Sequence, residues 1–191
     1  IGYHLPSIDV SGRDISVPLY FLYTVFHGRT LFNRAIIRNI CDFSMSSFRE
    51  DVVFNNTRFM RDAYFSFTTF SSVAYFRLAE FHGKLDFSNA KFEGDALFWG
   101  CRFVRDTDFS GCEFNSIADF RLAKFEMEAL FNHASFACAR FYDATFRGYA
   151  SFRYAIFRGA VNFKRAKFTA GRDFSNIRLP KNKELVEIPW K

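Results

Sequence analysis

Residues 63–87 read AYFSFTTFSSVAYFRLAEFHGKLDF, and the phenylalanines that punctuate them set the plan of the chain. Phe65, Phe70, Phe76, Phe81 and Phe87 are spaced five, six, five and six residues apart. Extended both ways, the same alternation holds without interruption from Phe43 to Phe136. Two positions before each ring stands a small or β-branched residue, among them Cys41, Thr57, Ala63, Thr68, Ala74, Cys101, Thr107, Cys112 and Ala118. Leu85 is the one larger exception.

A flat strand alternates faces with period two, so rings five apart would point to opposite sides. A straight α-helix would put them on two opposed stripes. An eleven-residue period also occurs in right-handed coiled coils, but there the background should be Ala, Glu, Lys and Leu. Here it is Ser, Thr, Asn, Asp and Gly. Short extended pieces that turn a corner between rings satisfy the spacing. In each piece the Phe and the small residue two before it face inward and their neighbours face out. Such units are too short to bury anything alone and must stack as a solenoid.

Segments such as Ala90-Lys91-Phe92, Ala118-Asp119-Phe120 and Ala123-Lys124-Phe125 resemble the pentapeptide-repeat family, in which a small residue, a polar residue and a central Leu or Phe recur. The resemblance spans roughly Phe21 to Phe174. It implies an all-β fold, a right-handed quadrilateral β-helix with four short faces per coil. This chain departs from the family pattern in using Phe at nearly every centre and an extra residue at every second face. Two five-steps and two six-steps then make one turn of the solenoid, so the expectation is about 22 residues per coil and about seven coils. Four internal Phe ladders follow. One runs through Phe43, Phe65, Phe87, Phe109 and Phe131. Large rings then alternate with small residues as a packing rule.

The expected organisation is a lead-in and cap over residues 1–20, the repeat over 21–174, and a C-terminal cap or interface segment over 175–191. Pro6, Gly12 and Pro18 mark the first of these. Thr30 to Ile40 reads as part of the first coil or as a short capping helix. Phe136 to Phe141 is five residues where six are due, which predicts a bulge that leaves the ladders continuous. The last segment, Leu185 to Trp190, either closes the final coil or meets a second molecule. No apolar run is long enough for a membrane span. Four cysteines without a CxxC pair suit a reducing, cytoplasm-like compartment.

Little here points to chemistry. Cys41, Cys101 and Cys112 take the small inward position and Cys138 lies one residue off it, so all four read as structural thiols. His4, His27, His82 and His133 read as separate surface residues with no pair placed to share a metal. No phosphate loop, nucleophile elbow or dinucleotide fingerprint is present. The reading is therefore no catalytic residue, no metal, no cofactor and no small-molecule substrate. Asp42, Asp86, Asp108 and Asp173 each precede a Phe on one face, where a short acceptor closes an Asx turn. Asn55-Asn56-Thr57 is a formal glycosylation sequon, but its Thr57 should point inward.

Surface patterns say more. Residues 1–136 carry 14 basic and 16 acidic side chains; residues 137–191 carry 12 and 4. The basic third, with Arg140, Arg147, Arg153, Arg158, Lys164, Arg165, Lys167 and Arg172, suits nucleic acid, an anionic membrane surface or an acidic protein. Val53, Tyr75 and Leu97 are outward positions stacked on one face with Trp99 close by, and Tyr64 and Leu130 lie opposite; with Trp190 they suit a protein partner or a homodimer. The expected function is a non-enzymatic scaffold or accessory protein presenting flat rigid faces to another protein. Some members of the family are implied to mimic duplex DNA and protect topoisomerases. That needs an acidic surface, and the net charge of +6 runs against it.

Overall fold

The computed structural model describes residues 2–182 and 186–188. It is all-β, and every element pairs in parallel with the element one coil away. Val52 lies opposite Ala74, Ala74 opposite Ala96, Phe59 opposite Phe81 and Phe81 opposite Phe103, always one full coil further along the chain. The two-residue strands form four faces. The third and fourth faces are separate eight-stranded sheets, and the first two share one sheet of fifteen strands among the described residues.

Phe rings fill the interior as four columns. In one, Phe43, Phe65, Phe87 and Phe109 stack with centroids 5.1, 4.6 and 5.2 Å apart and successive planes tilted by only 6°, 9° and 4°. The column of Phe54, Phe76 and Phe98 meets it edge to face, with Phe76 at 88° to Phe87. Parallel overlap within a column and edge contacts between columns are the two geometries that a ring quadrupole favours. The small position keeps this spacing open, and Ala63, Ala74, Cys101 and Cys112 are fully buried.

The inward hydroxyls and thiols have a task the spacing did not reveal. Thr57 donates to the Phe32 carbonyl at 2.7 Å, Thr68 to Phe43 at 2.8 Å, Cys101 to Phe76 at 2.7 Å and Cys112 to Phe87 at 3.0 Å. Ser46 does the same to Phe21. Each bond reaches 25 residues back, so the side chain ties one coil to the next. Thr57 is buried with its hydroxyl committed, which removes it from use in the Asn55 sequon.

A second rhythm governs the corners. A residue with φ near +60° recurs every eleven positions, including Tyr23, Arg34, Met45, Asn56, Phe67, Leu78 and Asn89. Each sits at the third residue of a tight turn closed by a bond such as Ser46 N–H to the Phe43 carbonyl. Such corners alternate with longer ones that hold the extra residue of the six-step. Gly and Asn relieve the strain at φ > 0, whereas Phe67 carries it for no burial in return, being 55% exposed. Phe67→Gly should therefore raise the unfolding free energy by about 0.5–1 kcal/mol, read from urea denaturation.

Three expectations are corrected by this architecture. Residues 1–20 are part of the solenoid: Leu5 pairs with Phe26, Ile8 with Thr30, Ile15 with Ile37 and Leu19 with Cys41. The coil count is therefore eight, not seven. Leu5, Val10 and Ile15 occupy the ring positions, so a search for Phe alone passes over that coil. Arg172, read with the outer basic set, takes the inward register position below Ala150 at the open end, where it stays exposed with its guanidinium 5.4 Å from the Phe168 ring.

Other readings hold. Residues 30–40 form coil strands and no helix. At the slip, Glu113–Asp119 and Ser135–Arg140 run straight through a corner with a bulge between Phe114 and Ile117. The columns continue past it, Phe120 to Phe141 at 5.0 Å and Phe141 to Phe163 at 4.6 Å. Arg158 spans the shortened corner and donates to Asn115 Oδ1 and the Phe114 carbonyl at 2.8 and 3.2 Å. At the C-terminal end, Val186–Glu187 pairs beneath Val161–Asn162, and Val186 and Ile188 pack on the core.

Candidate functional site

With the interior occupied by rings, the side chains open to other molecules are those of the outer columns. The outward residues of the second face run Asp9, Leu31, Val53, Tyr75, Leu97, Asp119, Arg140 and Asn162, in register from coil to coil. Val53 and Tyr75 are half-buried and Leu97 is only 8% exposed, so the apolar strip is more covered than its outward parity implied. The ladder neighbours of Leu97 are Tyr75 on one side and Asp119 on the other.

Beside this strip runs the tight-turn edge between the second and third faces. Its turns bring Asn33-Arg34, Asn55-Asn56, Arg77-Leu78, Trp99-Gly100, Arg121-Leu122, Tyr142-Asp143 and Lys164-Arg165 into line. Two hollows lie along it. One, of about 450 Å³, is lined by residues including Arg34, Asn55, Arg77, Trp99 and Arg121. The other, of about 480 Å³, takes in Arg121, Cys138, Arg140, Tyr142 and Asn162. Gly100 helps to keep the first one concave. It has φ +67°, and a Cβ there would stand 2.8 Å from Leu78 Cδ2.

Two of the arginines along this edge, Arg121 and Arg165, are held in place by acidic partners. Asp119, 3% exposed, takes two bonds from Arg121, at 2.8 and 2.6 Å, and the Arg121 amide at 3.2 Å. The hydrogen bond to that carboxylate raises the Arg121 pKa further above its usual value. Arg165 pairs with Asp143 at 2.9 Å and donates to the Tyr142 hydroxyl at 3.0 Å, its guanidinium over that ring. Asn55 Oδ1 accepts the Arg77 amide at 2.9 Å.

The basic set read from the last third of the sequence does not form one patch. Arg140 lies on the second face and Lys167 on the third, while Arg147, Arg153, Arg158 and the Lys164-Arg165 pair occupy four different corners. Arg147 is paired with Glu126 at 2.7 Å, and Arg158 is engaged across the slip. The result is a collar, and only Arg140, Lys164 and Arg165 join the edge. Trp190 lies outside the described residues.

The fourth face carries the acidic ladder. Asp42, Asp86, Asp108 and Asp173 each accept the amide two residues on, at 2.7–2.8 Å, so the Asx-turn reading holds. Tyr64 and Leu130 border a hollow of about 300 Å³ on that face. Cys41, Cys101 and Cys112 are fully buried, and desolvation pushes each thiol well above its usual pKa. Cys138 is half-buried at the slip. The histidine reading needs one correction: His4 Nδ1 and His27 Nε2 lie 2.7 Å apart with their rings stacked. Residues 1–20 form a coil, and this brings His4 beside its neighbour one turn on. Among the described residues no helix is long and apolar enough to cross a membrane.

These features define a class: a parallel β-solenoid of four-sided coils with a solid aromatic interior. The family model for pentapeptide repeats matches residues 21–69, 68–113 and 109–156, and the chain belongs to the pentapeptide-repeat family. Among solved structures it is similar to QnrB1, a plasmid-mediated fluoroquinolone resistance protein, at 15% identity over 96% of this chain and 94% of that one, with a TM-score of 0.24. It is similar at 15% identity to HetL, a pentapeptide repeat protein involved in heterocyst differentiation regulation from the cyanobacterium Nostoc sp. strain PCC 7120, over 92% and 86% of the two chains with a TM-score of 0.22. No curated protein matches the chain.

Proposed function

We propose that this chain is a non-enzymatic β-helical scaffold or accessory protein that presents rigid faces to a protein partner. The observation that carries the reading is the interior: ring columns leave the inside solid, so work must be done by outer side chains that the stacked coils hold in fixed rows. Prearranged side chains lose little entropy on binding. The partner surface is the strip of Val53, Tyr75 and Leu97 with Trp99 at its border, where half-covered apolar groups stand in register. DNA mimicry gains no support from a chain of net charge +6 with an arginine-lined edge.

The test is capture from the native source followed by mass spectrometry, with Tyr75→Asp as the variant. Tyr75 is half-buried on the outer surface and touches no ring column, so the fold should survive the change. The expected result is one dominant protein retained by the native chain and lost with the variant. Retention of the same protein by both would remove the strip from the interface.

A further inference from the structure

We propose that the edge between the second and third faces binds single-stranded nucleic acid along the solenoid axis. The inference goes beyond the protein-partner reading, because it uses the turn side chains of the edge and shares only Trp99, at the border, with the apolar strip.

One residue per coil makes the pattern. The second residue of each turn runs Asn33, Asn55, Arg77, Trp99, Arg121, Tyr142 and Lys164 down the edge, with Arg34 and Arg165 one residue further along in the neighbouring φ > 0 column. Coils of a parallel sheet lie about 4.8 Å apart, so Arg77 and Arg121, two coils from each other, stand roughly 10 Å apart, and Lys164 follows at the same interval. The Trp99 ring stands between Arg77 and Arg121, and the Tyr142 ring, with the Arg165 guanidinium over it, between Arg121 and Lys164. The two hollows share Arg121, so the track is continuous from Asn33 to Asn162. Among the described residues Arg34 and Arg77 form no ion pair, and their charge is left for a ligand. Asn55 uses its oxygen on the Arg77 amide, which leaves its NH2 group to donate.

The backbone narrows the choice of ligand. Edge amides are spent on the adjacent coil: Asn56 donates to the Arg77 carbonyl, Leu78 to Trp99, Gly100 to Arg121 and Leu122 to Tyr142. A partner strand therefore cannot add here, and recognition must run through side chains. An acidic peptide would satisfy the arginines but leave the rings unused. A duplex keeps its bases stacked inside and offers those rings nothing. A single strand offers phosphates to Arg34 and Arg77, unpaired among the described residues, and a base face to Trp99, the combination that sequence-tolerant single-strand sites use. Arg121 and Arg165, by contrast, are already paired with Asp119 and Asp143.

The test is fluorescence anisotropy with fluorescein-labelled (dT)20 and (rU)20 at 50 and 200 mM NaCl. Saturable binding should weaken with salt, with a slope in log K of roughly −0.7 per phosphate contact. Arg77→Ala should make that slope shallower by about one contact. Trp99→Ala should lower affinity roughly tenfold at both salt concentrations with the slope kept, and Trp99→Phe should restore most of it. Both positions are on the outside, so unchanged melting temperatures are expected and serve as the folding control. The proposal is overturned by absence of binding at 50 mM salt, or by Trp99→Ala and Arg77→Ala both binding like the native chain. It is equally overturned if a duplex of the same length binds as tightly, or if polyglutamate displaces (dT)20 as well as unlabelled (dT)20 does.

Discussion

Replacing Phe87 by alanine should lower the unfolding free energy by about 3–5 kcal/mol, the range for removing a large buried ring. Phe87 is fully buried and stacks on Phe65 at 4.6 Å and Phe109 at 5.2 Å. It also meets the edges of Phe76 and Phe98 at 5.5 and 5.6 Å. Alanine forfeits the transfer term of the ring and leaves a cavity walled by six other rings, Phe70 and Phe92 being the remaining two. The backbone ladders above and below are fixed at the sheet spacing, so the hole cannot collapse. Phe87→Leu should recover about half of the loss by refilling part of the volume. Urea denaturation followed by far-UV circular dichroism measures both. A cost for Phe87→Ala below about 1.5 kcal/mol would mean that the columns contribute little beyond filling space.

The second large effect is alkaline. Cys41, Cys101 and Cys112 are buried where desolvation disfavours the thiolate, so their folded pKa values lie well above the unfolded value of about 8.5. The sign follows from proton counts. Above that value the unfolded chain releases three protons while the folded chain keeps them, and stability falls as pH rises. Each thiol shifts the folding equilibrium by up to roughly tenfold per pH unit, so three act as nearly a thousandfold. The urea midpoint of the native chain should drop steeply between pH 8.5 and 10.5. A variant with Cys41→Ala, Cys101→Ala and Cys112→Ala should show a much shallower fall, and equal slopes would refute the assignment. Cys138, half-buried, should be the thiol that reacts with Ellman's reagent in the native state.

Much of this fold could be read from residue spacing, and the reasons differ from place to place. The Phe columns were legible because one residue type repeats at the coil length, so that period and packing carry the same message. The first coil was not, because Leu5, Val10 and Ile15 keep the phase without keeping the residue. The corner rhythm was hidden for another reason. Turn rules assign φ > 0 to Gly and Asn, whereas here neighbouring coils impose it on Tyr23, Met45, Phe67 and Leu78. The edge site was present in the sequence but in a different order. Arg77, Trp99 and Arg121 are separated by whole coil lengths and become neighbours only when the chain is written in rows of one coil. Grouping charges by stretch of sequence selected the last third, which the solenoid then spread round all sides.

The shortened corner at residues 137–138 bears on how such a chain changes over generations. A single-residue deletion there is absorbed locally, with Arg158 bracing the gap and every column passing through unbroken. The opening coil carries the same economy at Pro6-Ser7, since Leu5 precedes its partner Phe26 by one residue less than a full coil. Loss or gain of one residue at these bends is thus a survivable accident, whereas the same event between a ring and the small residue two before it would turn the rest of that coil inside out. Lineages of this protein should accordingly differ in length by single residues at those two bends and by whole coils elsewhere.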